Sequence, residues 1–327
     1  MRLKRVKTEG EGYYHLMSRC CLKQFLLNDA EKRAFCSMLR RTADFSGIEV
    51  LTHCVMSNHF HILVHVPTPQ EIGEAELLRR VSVLYGQASA SGLRARWEQY
   101  RQHGVVRLLK REQDHLRSRM GDISPFMQIL KQRFTIWYRA QHPGHEGTLW
   151  QGRFTSTLVE GGGSLAAVGA YIDLNPVRAG IVSDPKDYLF SGYGSAIAGN
   201  CEAREGICRI YGDTTRPFKK VAEAYRALLY LKGSASMSVD EVQKVLQKHG
   251  KLEMPVLLRC RVRAINSGLA VGSKAFVAGI FNAHRYAFSD TRKRVARGES
   301  LCPEWDGIQL CSVRILRKDA ISVSRRD

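Results

Sequence analysis

Apolar and polar positions fall into a readable order over the first two hundred residues. Residues 12–22, with Tyr13, Tyr14, Leu16 and Met17, predict a first strand. Asn28-Asp29 supplies helix-starting oxygens. Phe35, Met38, Leu39 and Thr42 then recur at helical spacing, which predicts a helix over 30–45, stopped near Gly47. Residues 48–56 are apolar and β-rich. Ser57-Asn58 reads as a tight turn, and 59–66 as a further strand stopped by Pro67 and Pro69. Ser124-Pro125 opens a helix whose apolar face carries Phe126, Ile129, Leu130, Phe134, Trp137 and Tyr138. A fourth strand is predicted over 147–160. After Gly161–Gly163, Ser164 caps a helix that ends near Asn175-Pro176.

Between 71 and 120 the bias is helical, but the apolar stripes are weak and arginines are many, so this stretch reads as a basic helical insertion. Without it the order is β-α-β-β-α-β plus a helix. That is the split pattern of an α+β, ferredoxin-like (RRM-like) fold: an antiparallel sheet with helices on one face. The division expected is a catalytic domain over 1–190 and a basic, mostly helical accessory region over 191–327. The latter has helices near 218–231 and 238–249, another opened by Gly272-Ser273-Lys274, and a basic tail from Arg285.

Composition narrows the function. Among 327 residues, 50 are Lys or Arg and 31 are Asp or Glu, a formal charge of +19 with pI near 9.8. Such an excess favours a polyanionic partner, most often nucleic acid. At 44% hydrophobic residues the chain is expected to fold. No apolar run approaches the roughly 20 residues needed to span a bilayer. The nine cysteines include an adjacent pair and no C-x-x-C, a usage that fits reduced thiols rather than a disulfide framework or a zinc ribbon. The basic start, residues 1–7, is followed by no apolar stretch, so no signal peptide and a cytoplasmic location are expected.

The candidate chemistry sits in two places. His59 and His61 flank Phe60 on the third strand, so both imidazoles point to one face, with Cα atoms about 7 Å apart, and could share one divalent ion. Taken alone, an H-x-H pair on a strand is more often structural; His53 and His65 nearby read as ordinary core or surface histidines. Tyr171 and Asn175 lie four residues apart at the last helix, on one face, where an amide oxygen suits Mg²⁺ or Mn²⁺. A plain helix end before Pro176 would also account for that pair. Basic and aromatic side chains interleave in Lys131–Arg139 and Trp150–Phe154. This makes Lys131, Arg133, Arg139, Trp150 and Arg153 candidates for phosphate and base contacts, with a solvated charged face or core packing as the alternative.

Three segments, taken together, resemble one family. They are Met56–His61, Leu149–Phe154 and the ten residues Tyr171–Gly180, in that order. The chain is similar over roughly 10–190 to the REP-associated tyrosine transposases, HUH single-strand transposases with one catalytic tyrosine. The family pattern often has Pro where this chain has Ser57, and the 71–120 insertion is longer than usual. The resemblance implies metal-dependent nicking and joining of single-stranded or hairpin DNA by a monomer or homodimer. His59 and His61 would be the histidine pair, Asn175 the third ligand to Mg²⁺ or Mn²⁺, and Tyr171 the nucleophile that forms a 5′-phosphotyrosine link. Arg178, inside the third segment, joins the expected DNA contacts. A binding-only protein for hairpin DNA or RNA, and a metal-dependent hydrolase that does not use Tyr171, are the alternatives. The insertion, the tail and the backbone N–H groups at Gly272-Ser273 are expected to grip DNA away from the scissile bond, so the core should keep its chemistry without the tail.

Overall fold

Strand alternation organises the molecule, a computed structural model that describes residues 5–8, 10–230, 265, 268–287, 297–298 and 311–313. The first part of the chain forms β1 (Gly12–Arg19), α1 (Asp29–Ser46), β2 (Glu49–Val55) and β3 (His59–Val66). The insertion forms α2 (Glu74–Tyr85), α3 (Gln87–Gln102) and α4 (Val106–Arg117). Then come α5 (Ile123–Gln141), β4 (Thr155–Val159), α6 (Gly163–Asp173) and α7 (Asn175–Arg178). The remainder is α8 (Gly192–Ile197), α9 (Cys201–Tyr211), α10 (Phe218–Tyr230), β5 (Ala270–Gly272), α11 (Lys274–Ala283), β6 (Arg297–Gly298) and β7 (Cys311–Val313).

The sheet runs β2-β3-β1-β4-β5-β7-β6. Its first four strands are antiparallel in the ferredoxin-like order, as the α+β pattern predicts. β5 adds to β4 in parallel, through Leu158–Ala270 and Val159–Val271. One face of the sheet carries Tyr14, Leu16, Phe60, Ile62, Val64 and Leu158 into a core with α1 and α5. Phe35, Phe60, Phe134 and Trp150 are its aromatic centre, with ring centroids 4.5–6.4 Å apart. Burial of side chains this size contributes about 1.5–3 kcal/mol each. α1 is fixed at its start by a capping box, in which Asn28 accepts from the Ala30 and Glu31 amides and the Glu31 carboxylate accepts from Asn28 N.

The other face is also covered, beyond the one-faced packing read from the sequence. Leu51, Cys54, Leu63 and Val159 pack against Leu165, Val168 and Ile172 of α6, and against Tyr193, Ile207, Ile210 and Tyr225 of α8–α10. The boundary expected at 190/191 therefore runs through a packed core. Residues of 191–230 pack directly on the sheet and on α6. A chain cut near residue 200 would expose the back of α6.

Three further expectations change. β1 ends at Arg19, and Leu22 lies in a single 3-10 turn, Cys21–Lys23, instead of a strand. Residues 147–154 are a loop too: Gly147 and Gly152 take φ +82° and +93°, which end extended pairing, and strand geometry resumes at Thr155. The insertion is helical as predicted. It has its own core of Leu77, Leu78, Val81, Leu84 and Trp97 against Phe45 and Ile129. Part of its positive charge is spent internally, since Arg96 pairs with Glu112, Arg101 with Glu74 and Glu98, and Arg117 with Asp114. At α11 the Glu160 carboxylate accepts from Ser273 N and Oγ, so a protein anion already occupies the helix start expected to hold phosphate. The predicted helix at 238–249 and most of the basic tail lie outside the described residues. No described helix is long and apolar enough to cross a membrane.

Close approach of α9 to β2 depends on Gly206, where a Cβ would sit 2.1 Å from the Leu51 carbonyl oxygen. Gly206→Ala should lower the unfolding free energy by about 1–3 kcal/mol, as overpacked cores do. The measurement is the urea midpoint, and an unchanged midpoint would remove α9 from the load on β2.

Candidate active site

β3 alternates, so His59, His61 and Leu63 leave the sheet on the α6 side while Phe60 and Ile62 enter the aromatic core. The His59 and His61 rings stand 5.0 Å apart, nearly perpendicular at 86°. α6 lies over this face and brings Tyr171 to 6.0 Å from the His61 ring. His59, His61 and Tyr171 thus meet on one face, with Arg178 against the Tyr171 ring.

A residue the sequence reading passed over completes the group. His15, on β1, lies beside β3 in the sheet order, and its ring stacks on His61 at 5.0 Å. Hydrogen-bond chemistry fixes the proton positions. The Ile265 carbonyl can only accept, so His15 Nδ1 donates to it, at 3.0 Å. Burial keeps the His15 ring neutral by pulling its pKa down to about 4. Its Nε2 is then an acceptor, so His61 Nδ1 donates to it at 2.8 Å, and His61 Nε2 is left as a bare lone pair. His59 Nδ1 meets Asn58 Oδ1 at 2.6 Å, where the amide oxygen accepts, so His59 also presents Nε2 as a lone pair. Burial, then the charge of Arg19, lowers the His59 pKa to about 4, and burial, then His15, holds His61 well below its usual range. Two neutral imidazoles, each held at Nδ1 by a neighbour, have the donor chemistry of a divalent-metal site. Parity along β1 could have found His15: residues 13, 15 and 17 share a face, and the split topology seats β1 against β3.

Asn175 follows in kind. Its Nδ2 donates to the Tyr171 and Ile172 carbonyls at 3.0 and 3.2 Å, which leaves the amide oxygen as the end available to a cation. Among the described residues, no three His, Cys, Asp or Glu side chains form a metal-binding group by themselves. Any site here would thus rest on the two imidazoles, the amide oxygen and non-protein ligands.

Tyr171 is buried, and the Arg178 guanidinium lies 4.5 Å from its ring centroid. Arg178 Nη1 is buried without a hydrogen-bond partner. An unpaired guanidinium nitrogen beside a phenol is a ready partner for phosphate oxygen. α6 is held by Asp173, fully buried, whose carboxylate accepts from Thr52 Oγ1 at 2.7 Å, Tyr225 OH at 2.7 Å and Tyr193 N at 3.2 Å. Burial lifts its pKa to about 7 against those three bonds.

The other candidates gather around the 147–154 loop. Gln151 N donates to Arg19 O at 2.9 Å, and Arg19 pairs with His59 across the sheet, so the loop borders the His59 end. Arg153 is exposed there. Lys131 donates to the Gly152 carbonyl, and burial lowers its pKa to about 8. Arg139 donates to the Gly147 carbonyl. Arg133 lies over the Tyr85 ring, toward the insertion. Trp150 is corrected: it is 7% exposed within the aromatic core, with Nε1 donating to Thr135 Oγ1, and cannot stack on a base without leaving that core.

Buried neutral histidines make stability pH-dependent. His15 titrates near 6.5 unfolded and about 4 folded, so the folded state binds fewer protons between these values. Its contribution is present above about pH 6.5 and lost as pH falls toward 4. His15→Gln should therefore lose less unfolding free energy than the wild type between pH 7 and pH 4.5, by chemical denaturation. Equal losses would mean that His15 is solvated.

Residues 9–105 match the family described as IS200-like transposases. The match spans β1 to α3, and so includes His15, His59 and His61 but not Tyr171. No curated protein sequence matches the chain. Two solved structures are similar. One is a REP-associated tyrosine transposase bound to a REP hairpin, at 15% identity, covering 61% of this chain and 86% of that one, with TM-score 0.40. The other, from Deinococcus radiodurans R1 and provisionally named a transposase, has 17% identity, covers 55% and 92%, and has TM-score 0.25. Over residues 9–105, less than half of its length, the chain is similar to the IS200-like transposases.

Proposed function

We propose that the protein nicks and rejoins single-stranded DNA through a covalent Tyr171 intermediate. The observation that carries this is the placement of Tyr171 between His61 and the unpaired Arg178 nitrogen. Tyr171 Oη would attack the phosphorus. A P–O bond to the phenol forms, the bond to the 3′ oxygen breaks, and that oxygen leaves as a hydroxyl after taking up a proton. A phenolate is a better leaving group than an alkoxide, which suits a link that a second 3′-hydroxyl can reverse. Arg178 would hold a non-bridging phosphate oxygen. His59 and His61, through Nε2, and Asn175, through Oδ1, would hold Mg²⁺ or Mn²⁺. That ion, when bound, polarises the scissile phosphate. Hairpin-bearing single strands are the substrate class that the motif resemblance implies, and the excess of basic residues suits them.

Incubated with a hairpin oligonucleotide and Mn²⁺, the wild type should give a protein–DNA adduct that survives a denaturing gel. Tyr171→Phe should give none while binding the DNA within about twofold, since one oxygen is lost and the ring kept. His59→Ala or His61→Ala should also stop adduct formation, as should chelation. An adduct from Tyr171→Phe assigns the chemistry to another tyrosine. Cleavage that persists in Tyr171→Phe with no adduct means hydrolysis by water.

Arg178→Ala should slow adduct formation by about 100-fold, in line with loss of a charge-stabilising donor. Arg178→Lys should recover only part of it, because an ammonium cannot both lie over the ring and fork to phosphate. An unchanged rate in Arg178→Ala would take the guanidinium out of the reaction.

A further inference from the structure

The loop that leaves β1 departs from two ordinary rules. Leu22 and Phe25 point their side chains into solvent, 79% and 81% exposed. Leu22 and Lys23 both take left-handed backbone, at φ 52° and 58°, although neither is glycine. Consecutive residues of this kind are costly and persist only where surroundings enforce them, most often at functional sites.

The surroundings here are the ends of the catalytic strands. Cys20 N donates to Asn58 O at 2.8 Å, Cys21 N to Leu149 O at 2.9 Å, and Leu27 N to Ser57 O at 2.9 Å. Buried Cys20 and Leu27 anchor the two ends. Between them the chain is tied to the site itself: Asn58 Nδ2 donates to the Lys23 carbonyl at 3.4 Å, while Asn58 Oδ1 accepts from His59 Nδ1. One amide thus joins the strained turn to a candidate metal ligand. Arg19 precedes the apolar pair in the chain and Lys23 lies between its two members; both are exposed.

The geometry points to a binding site for an unpaired nucleobase of the DNA strand next to the scissile phosphate, formed by Leu22 and Phe25. This rests on the proposed single-strand chemistry. An exposed ring and a branched aliphatic side chain on a rigid turn, with exposed Lys23 between them in the chain and Arg19 just before, match a base and its neighbouring phosphates. Apolar side chains serve other proteins as wedges between bases, and aromatic faces stack on any base with little sequence preference. The strain has a use in this arrangement: it holds both side chains outward, where a relaxed turn would fold them onto the protein.

The test compares two labelled hairpin oligonucleotides by anisotropy. One carries a ten-nucleotide single-stranded dT flank, and the other an abasic flank of equal length. The wild type should bind the dT form about tenfold more tightly, the range expected for one or two stacked bases. Leu22→Ala/Phe25→Ala should lose that preference and keep the abasic affinity, while Phe25→Trp should retain it. Leu22→Gly, which relieves the left-handed strain, should raise the urea midpoint and lower only the dT affinity. An undiminished dT preference in the double variant overturns the proposal, as does an equal loss on both oligonucleotides. So does a dimer, by light scattering, that the double variant dissolves, since the patch would then be an interface between copies. Base-dependent binding without any Tyr171 adduct would refute the transfer chemistry and leave this site standing. No DNA binding by the wild type would refute both.

Discussion

Because side chains alternate strictly along a strand, β3 must satisfy two different surroundings at once. Phe60, Ile62 and Val64 fill the aromatic core against α1 and α5, and the residues between them face α6. A slip of one residue would bury the imidazoles among phenylalanines and turn the apolar set toward the site. The aromatic core therefore fixes more than stability. It sets the register that puts His59 and His61 on one face, and pairing with β1 then brings in His15.

The second half of the site has a different foundation. Tyr171 rides on α6, whose position follows from Asp173 and the hydroxyls and amide that converge on it. One of those hydroxyls belongs to β2 and one to α10, so the helix is clamped between the sheet and the later helices. Breaking the clamp would leave buried donors unpaired, each at a cost of about 1–3 kcal/mol. The later helices thus do for Tyr171 what the aromatic core does for the histidines, and the two cores meet at the site from opposite sides of the sheet.

Much of this was readable in the residues, for a physical reason. Period-two and helical patterns mark β3, α1 and α5, and local spacing alone puts His59 with His61 and Tyr171 with Asn175. What local spacing cannot carry is partnership over long separations. His15 becomes important only through a neighbouring strand, and Asp173 through partners as far away as residue 225. Trp150 misled for the same reason. Beside Arg153 it reads as a nucleic-acid contact, but three aromatic rings from other elements enclose it. Long separation also hides part of the insertion's charge balance, since Arg96 and Arg101 pair with Glu112 and Glu74. The role of 191–230 was hidden because its apolar positions announce burial without saying against what.

The carbonyl of Ile265 lies 250 residues downstream of the ring that donates to it. During synthesis, β1, β3 and α6 all leave the ribosome well before that carbonyl exists. An incomplete chain can pair its strands and collapse its aromatic core, yet His15 has nothing at Nδ1 to settle its tautomer, and His61 inherits the ambiguity. Prematurely terminated products ending before residue 265 share that defect. Synthesis as far as residue 265 is thereby written into the proton position of His61.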